Sequence, residues 1–65
     1  MTAREVINRL RRERWDERQG KGSHLVFTKR GRNIVTVPVH SGDMKPGTLR
    51  SICRAAGWEW PPERQ

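Results

Sequence analysis

The chain has 65 residues, with 14 Lys and Arg against 7 Asp and Glu and a formal net charge of +7 at pH 7. A domain near 60 residues buries only about 60% of the surface its unfolded chain exposes, so the sequence is read as one domain spanning 1–65, with its core over about 3–58 and a tail over 59–65. A deep, enclosed active site is argued against, and any chemistry belongs on an open surface with a large substrate.

The charge is uneven along the chain. Residues 21–54 carry seven basic groups and only Asp43 on the acidic side. A one-sided basic stretch on a small domain is the electrostatic footprint of nucleic-acid binding. Cys53 is the single cysteine, so no internal disulfide forms and a reducing compartment is expected. The first twenty residues hold no apolar stretch, which argues against a secretory signal. No run approaches the roughly 20 apolar residues of a membrane span. A cytoplasmic location without membrane attachment is the expectation.

Thr2-Ala3-Arg4-Glu5 has the spacing of a capping box, with Thr2 accepting from the Glu5 amide and Glu5 reaching back to Thr2. Ala3, Val6, Ile7 and Leu10 follow on one face, predicting an amphipathic helix over about 3–14. Trp15 to Gln19 is a weak, polar strand. Gly20-Lys21-Gly22 is a loop suited to positive φ angles. Ser23 to Lys29 alternates around Leu25, Val26 and Phe27 and reads as the second strand; Arg30-Gly31-Arg32-Asn33 is a turn. Ile34 to Val39, rich in β-branched residues, is the third strand, with Val35, Val37 and Val39 on one face and Thr36 and Pro38 on the other. Pro38 donates no hydrogen bond, so it belongs at a strand end or edge. After the loop from His40 to Asp43, Pro46 suits the first turn of a second helix. Leu49, Ile52, Cys53 and Ala56 form its apolar stripe, and Gly57 fits the left-handed position past its end. Trp60-Pro61-Pro62 ends the pattern as a tail. The order predicts an α+β, α-β-β-β-α fold, a three-stranded antiparallel sheet with both helices packed on one face.

Two histidines and one cysteine are too few for a zinc site. No acidic pair stands near a glycine loop, so a two-metal nuclease is not indicated, and no nucleotide-binding glycine motif occurs. No metal or cofactor is expected. Cys53, between Ile52 and Ala56, reads as a core residue rather than a nucleophile. His24 is the residue that stands out. It opens a strand directly after Gly20-Lys21-Gly22-Ser23, where glycine backbone can approach a phosphate and Lys21 and Ser23 offer donors to it. RNA brings its own nucleophile, the 2′-OH, so one base beside cationic groups suffices for transesterification without metal.

Lys21-Gly22-Ser23-His24 followed by Leu25-Val26-Phe27 resembles the glycine-serine-histidine strand of the HicA toxin family. Thr36-Val37-Pro38-Val39-His40-Ser41 is similar to that family's third strand and exit. Lys45-Pro46-Gly47-Thr48-Leu49-Arg50-Ser51-Ile52, ending at Ala56-Gly57, is similar to its second helix, and Trp15 stands where the family has a tryptophan. The similarity spans about 3–58. It implies a double-stranded-RNA-binding-domain-like fold, a ribosome-independent mRNA interferase of a type II toxin-antitoxin system that arrests growth, His24 as catalytic residue, and a HicB-type antitoxin that covers the site. Leu25 stands where many members have a second histidine. Arg14 stands where many have glycine, a costly substitution if the position is left-handed.

Around His24, the expected RNA- or phosphate-binding residues are Lys21, Gly22 and Ser23 in the loop, Lys29, Arg30 and Arg32 at the next turn, and Lys45 and Arg50 near the start of the second helix, where exposed amides favour anions. His40 either helps the site or ends its strand. Trp15 and Trp58 read as core; Trp60 is freer to stack or to meet an antitoxin. Two other readings stay open on sequence alone: a non-catalytic RNA-binding module of the same fold, and an inactive homologue that binds only the antitoxin.

Overall fold

The computed structural model describes residues 1–62; the last part of the expected tail, 63–65, lies outside the described residues. Helix α1 spans Ala3–Arg12, strands β1, β2 and β3 span Asp16–Gln19, His24–Thr28 and Val35–Pro38, and helix α2 spans Pro46–Ala56. The fold is α+β, in the order α-β-β-β-α.

The capping box sets the start of α1. Glu5 N donates to Thr2 Oγ1 at 3.2 Å and Thr2 N donates to Glu5 Oε1 at 2.8 Å. Ala3, Val6, Ile7 and Leu10 are buried, as their spacing requires. Both helices end in the same way. Past α1, Trp15 N donates to Leu10 O and Arg14 N to Arg11 O, and Arg14 takes φ 68°. Past α2, Trp58 N donates to Cys53 O and Gly57 N to Arg54 O, with Gly57 at φ 78°. This paired bonding with a left-handed residue is the Schellman ending. It folds a tryptophan back over the last turn each time: Trp15 is buried and Trp58 half-buried. α1 is shorter at its C-terminal end than its sequence pattern suggests because Arg14 has left the helical region.

The sheet order is β1-β2-β3, antiparallel throughout. Phe27 lies opposite Val35, and Leu25 opposite Val37. Cross-strand partners share a face, so these four side chains point to the helices, and Phe27, Val35 and Val37 join the stripes of both helices in one core. Truncating Phe27, which has no exposed surface, would cost about 3–5 kcal/mol. His24, Val26, Thr36 and Pro38 belong to the other, helix-free face. Val39 N donates to Ser23 O at 2.7 Å, so Ser23 and Val39 stand at a hydrogen-bonding position of the ladder. Alternation then leaves His24–Pro38 a non-bonded pair. The missing N–H of Pro38 therefore falls on the outer edge of β3, where it removes a donor that another strand could use.

Val39 shares its face with Val35 and Val37 but is 42% exposed. The strand ends at Pro38, and Val39 lies past it, beside an open hollow bordered by α1. The remaining fastenings are polar. Arg9 donates to Glu13 and Glu59 and stacks on Trp58, with its guanidinium 4.2 Å from the ring centroid. Trp58 Nε1 donates to Glu13 at 2.9 Å. The N-terminus is held to the 41–44 loop by Met44 N donating to Met1 O.

Candidate active site

The turn between β1 and β2 is built by two glycines with different tasks. Gly22 takes φ 57°, which few residues other than glycine adopt. Gly20 has no such backbone demand. Its N–H donates to His24 O at 2.9 Å, and a Cβ there would lie 2.9 Å from Val26 Cγ2 and 3.5 Å from His24 Cβ. Gly20 therefore keeps the space beside His24 open.

His24 is exposed at the start of β2. Its backbone N–H donates to Lys21 O at 3.1 Å, and its ring Nδ1 lies 3.0 Å from the same carbonyl. A carbonyl oxygen can only accept, so Nδ1 carries the hydrogen of this contact. In the neutral ring Nε2 then holds the bare lone pair. The carbonyl that closes the turn thus also selects the tautomer in which the outer nitrogen is a proton acceptor. Gln19 closes the other side, its amide donating to Gly22 O at 3.2 Å.

Lys21, Gly22, Ser23 and His24 are consecutive and exposed, and they form one small surface. The other residues expected to meet phosphate are elsewhere. Lys29, Arg30 and Arg32 stand beyond the opposite end of β2 from His24. Lys29 Nζ donates to Glu13 O at 2.7 Å and lies 5.7 Å from the Trp15 ring centroid. The Arg32 guanidinium is packed against Gly57. Lys45 is the N-cap of α2 and makes no side-chain capping bond. Arg50 stacks on Trp60 at 4.8 Å. The structure thus groups four of the nine expected site residues and gives Lys29 and Arg50 structural partners.

One cation was not foreseen from the sequence. Arg18 lies opposite Val26 in β1, on the same face as His24 and one cross-strand step from it. It is exposed and has no ion pair among the described residues. Its signal in the sequence was its two-residue spacing from Gly20, which has meaning only once the register of β1 is known. His40, in the loop after β3, has its Nδ1 3.1 Å from Ser41 O; by the same reasoning its Nε2 is the bare nitrogen of the neutral ring.

Cys53 is buried in the core, and burial pushes its thiol above the ordinary value. That suits a packing residue and not a nucleophile. Among the described residues no three His, Cys, Asp or Glu side chains converge as metal ligands would, and no helix is long and apolar enough to cross a membrane.

Residues 3–58 match the family model described as HicA toxin of bacterial toxin-antitoxin. The chain belongs to the HicA toxin family. Comparison with curated proteins finds no matching relative. Membership covers both helices, all three strands and the histidine turn of this HicA-family chain, and it makes the chain a toxin-antitoxin toxin.

Proposed function

We propose that this HicA-family chain is a metal-independent endoribonuclease, an mRNA interferase, in which His24 is the catalytic base. The observation that carries the reading is the exposed His24 ring with its Nδ1 3.0 Å from the Lys21 carbonyl, which leaves Nε2 as the acceptor nitrogen of the neutral ring. A neutral imidazole with Nδ1 as its donor leaves Nε2 as the nitrogen that can take a proton.

The reaction is transesterification. Nε2 of His24 takes the proton of an RNA 2′-OH; O2′ attacks the adjacent phosphorus and the P–O5′ bond breaks. The proton on Nε2 passes to the departing O5′. The products are a 2′,3′-cyclic phosphate and a 5′-hydroxyl. Lys21 and Arg18 supply positive charge as negative charge gathers on the phosphoryl oxygens, and the open Gly22 backbone lets that group come close. No deep pocket is required, in keeping with a 65-residue chain.

The partner is a HicB-type antitoxin that covers this surface, and the site of action is the cytoplasm, where mRNA is found. Induced expression in bacteria tests the reading: wild type should stop growth and His24→Ala should relieve the arrest at equal soluble level. Equal toxicity of the alanine variant would refute His24 as the base.

A further inference from the structure

At the same end of the sheet as His24, but on its helix side, the core is left open. Leu25 is half-buried and Val39 exposed, and together they border two adjoining hollows. The first, of about 310 Å³, begins at Gln19 and Ser23. The second, of about 410 Å³, lies between α1 and the chain leaving β3, with Ile7, Leu25 and Val39 as its apolar surface and Arg4, Asn8 and His40 at its rim. Because both include Leu25 and Val39, they form one track. It leads from Ser23, the neighbour of His24, to the polar stripe of α1.

That stripe is itself informative. Arg4, Asn8 and Arg11 recur at i, i+4 and i+7 beside the buried face of α1. Arg11 is already held by Glu17 through two contacts of 2.8 Å. Arg4 and Asn8 are exposed and have no hydrogen-bond or ion-pair partner among the described residues. The cleft therefore offers an apolar surface, one amide with donor and acceptor side by side, an imidazole nitrogen and one unneutralised guanidinium.

We infer that this cleft receives an unpaired nucleobase of the RNA substrate, from a nucleotide adjoining the one cut at His24. The inference rests on the proposed function. A nucleobase has the matching chemistry: flat apolar faces, an edge of donors and acceptors, and a phosphate attached. Asn8 reads the edge, Arg4 holds the adjoining phosphate, and Leu25 and Val39 meet the base face. Among the described lining residues the charged ones, Arg4 and Arg11, are cationic, which favours a polyanionic ligand. His24 and the cleft lie on opposite faces, so the RNA strand bends around the sheet end over residues 22–24 and 38–40. An open strand can follow that path and a stiff duplex cannot.

Fluorescence anisotropy with hexamers of deoxyadenosine, deoxycytidine and thymidine tests the inference. These probes lack the 2′-OH and are not cut, so binding is read whether or not the chain cleaves RNA. Wild type should prefer one base. Asn8→Ala should weaken the preferred hexamer by about five-fold or more and leave the other two unchanged. Arg4→Ala should weaken all three and lower the salt dependence by about one phosphate contact. Both side chains are exposed and have no partner among the described residues, so the variants should melt like wild type, and circular dichroism checks this. Three results would overturn the cleft: no hexamer binds, Asn8→Ala leaves affinity and preference intact, or it weakens all bases equally. Loss of a protein partner's binding in Asn8→Ala, with hexamers unaffected, would overturn it also. Hexamer binding of the expected kind with no RNA cleavage would refute the proposed function and leave the cleft standing.

Discussion

Gly20 is the residue on which the histidine turn depends sterically. Its missing Cβ would meet Val26 Cγ2 at 2.9 Å, and a β-branched side chain in a strand has little freedom to move aside. Gly20→Ala should therefore destabilise the protein by about 1–3 kcal/mol, the usual range for an overpacked site, and should lower RNA cleavage through displacement of His24. A denaturant melt and a cleavage assay on the same sample check both. The sequence showed a glycine-rich loop there, but it could not show which glycine turns the chain and which makes room. Gly22 is the turning residue, at φ 57°; the role of Gly20 needs the strand register, which single-chain patterns do not fix. Cys53 was legible because its place on an apolar stripe decides its burial. Its thiol, pushed up by burial, should resist a water-soluble disulfide reagent in the native protein at pH 7 and react fully after unfolding; fast native labelling would contradict this.

At the scale of elements, the ends of the helices were the most legible features. The Thr2–Glu5 box and Gly57 are local chemistry, and local chemistry is written in adjacent residues. Arg14 shows the same rule from the unfavourable side. It holds the left-handed position that Gly57 holds in α2, with φ 68° against 78°. Arg14→Gly should stabilise the protein by about 1 kcal/mol, which for a domain of this size raises Tm by about 4–8 °C. A thermal melt at fixed pH checks this, and an unchanged or lower Tm would show that the Arg14 side chain gains elsewhere what its backbone costs. β1 was harder to read. All four of its residues are exposed, so no hydrophobic alternation marks a register; pairing with β2 supplies it, and with it the position of Arg18 opposite Val26. Val39 was legible as a member of the apolar face but not as an uncovered one. Coverage depends on where α1 crosses the sheet, and that is a tertiary property.

For the whole molecule, the tail and α1 are joined through Glu13. Burial works against its ionisation, but hydrogen bonds from Trp58 and Arg9 outweigh that and hold its carboxyl below the ordinary value. Glu17 is held low in the same direction, by the hydrogen bonds from Arg11. A group with a lowered folded pKa stabilises fully above the ordinary carboxylate range and loses that contribution as pH falls through the folded value. Stability should thus decline below about pH 4, and Glu13→Gln should lose less between pH 7 and pH 3 than wild type. Calorimetry at the two pH values decides it; equal losses in the two proteins would remove Glu13 from the explanation. The same scale explains why the basic residues do not converge. With 14 Lys and Arg on 65 residues, some must serve structure, as Arg9, Lys29 and Arg50 do, and composition alone does not separate these from Lys21 and Arg18 at the histidine.

In the proposed reaction one histidine, without metal, cuts RNA through the substrate's own 2′-OH. Purified wild type and His24→Ala incubated with RNA in excess EDTA test it most directly, with the ends of the products identified. Wild type should yield 2′,3′-cyclic phosphate ends, and the alanine variant, folded as judged by its melt, should be slower by about 10²- to 10⁴-fold. Equal rates for the two proteins, or abolition of wild-type cleavage by EDTA, would contradict it.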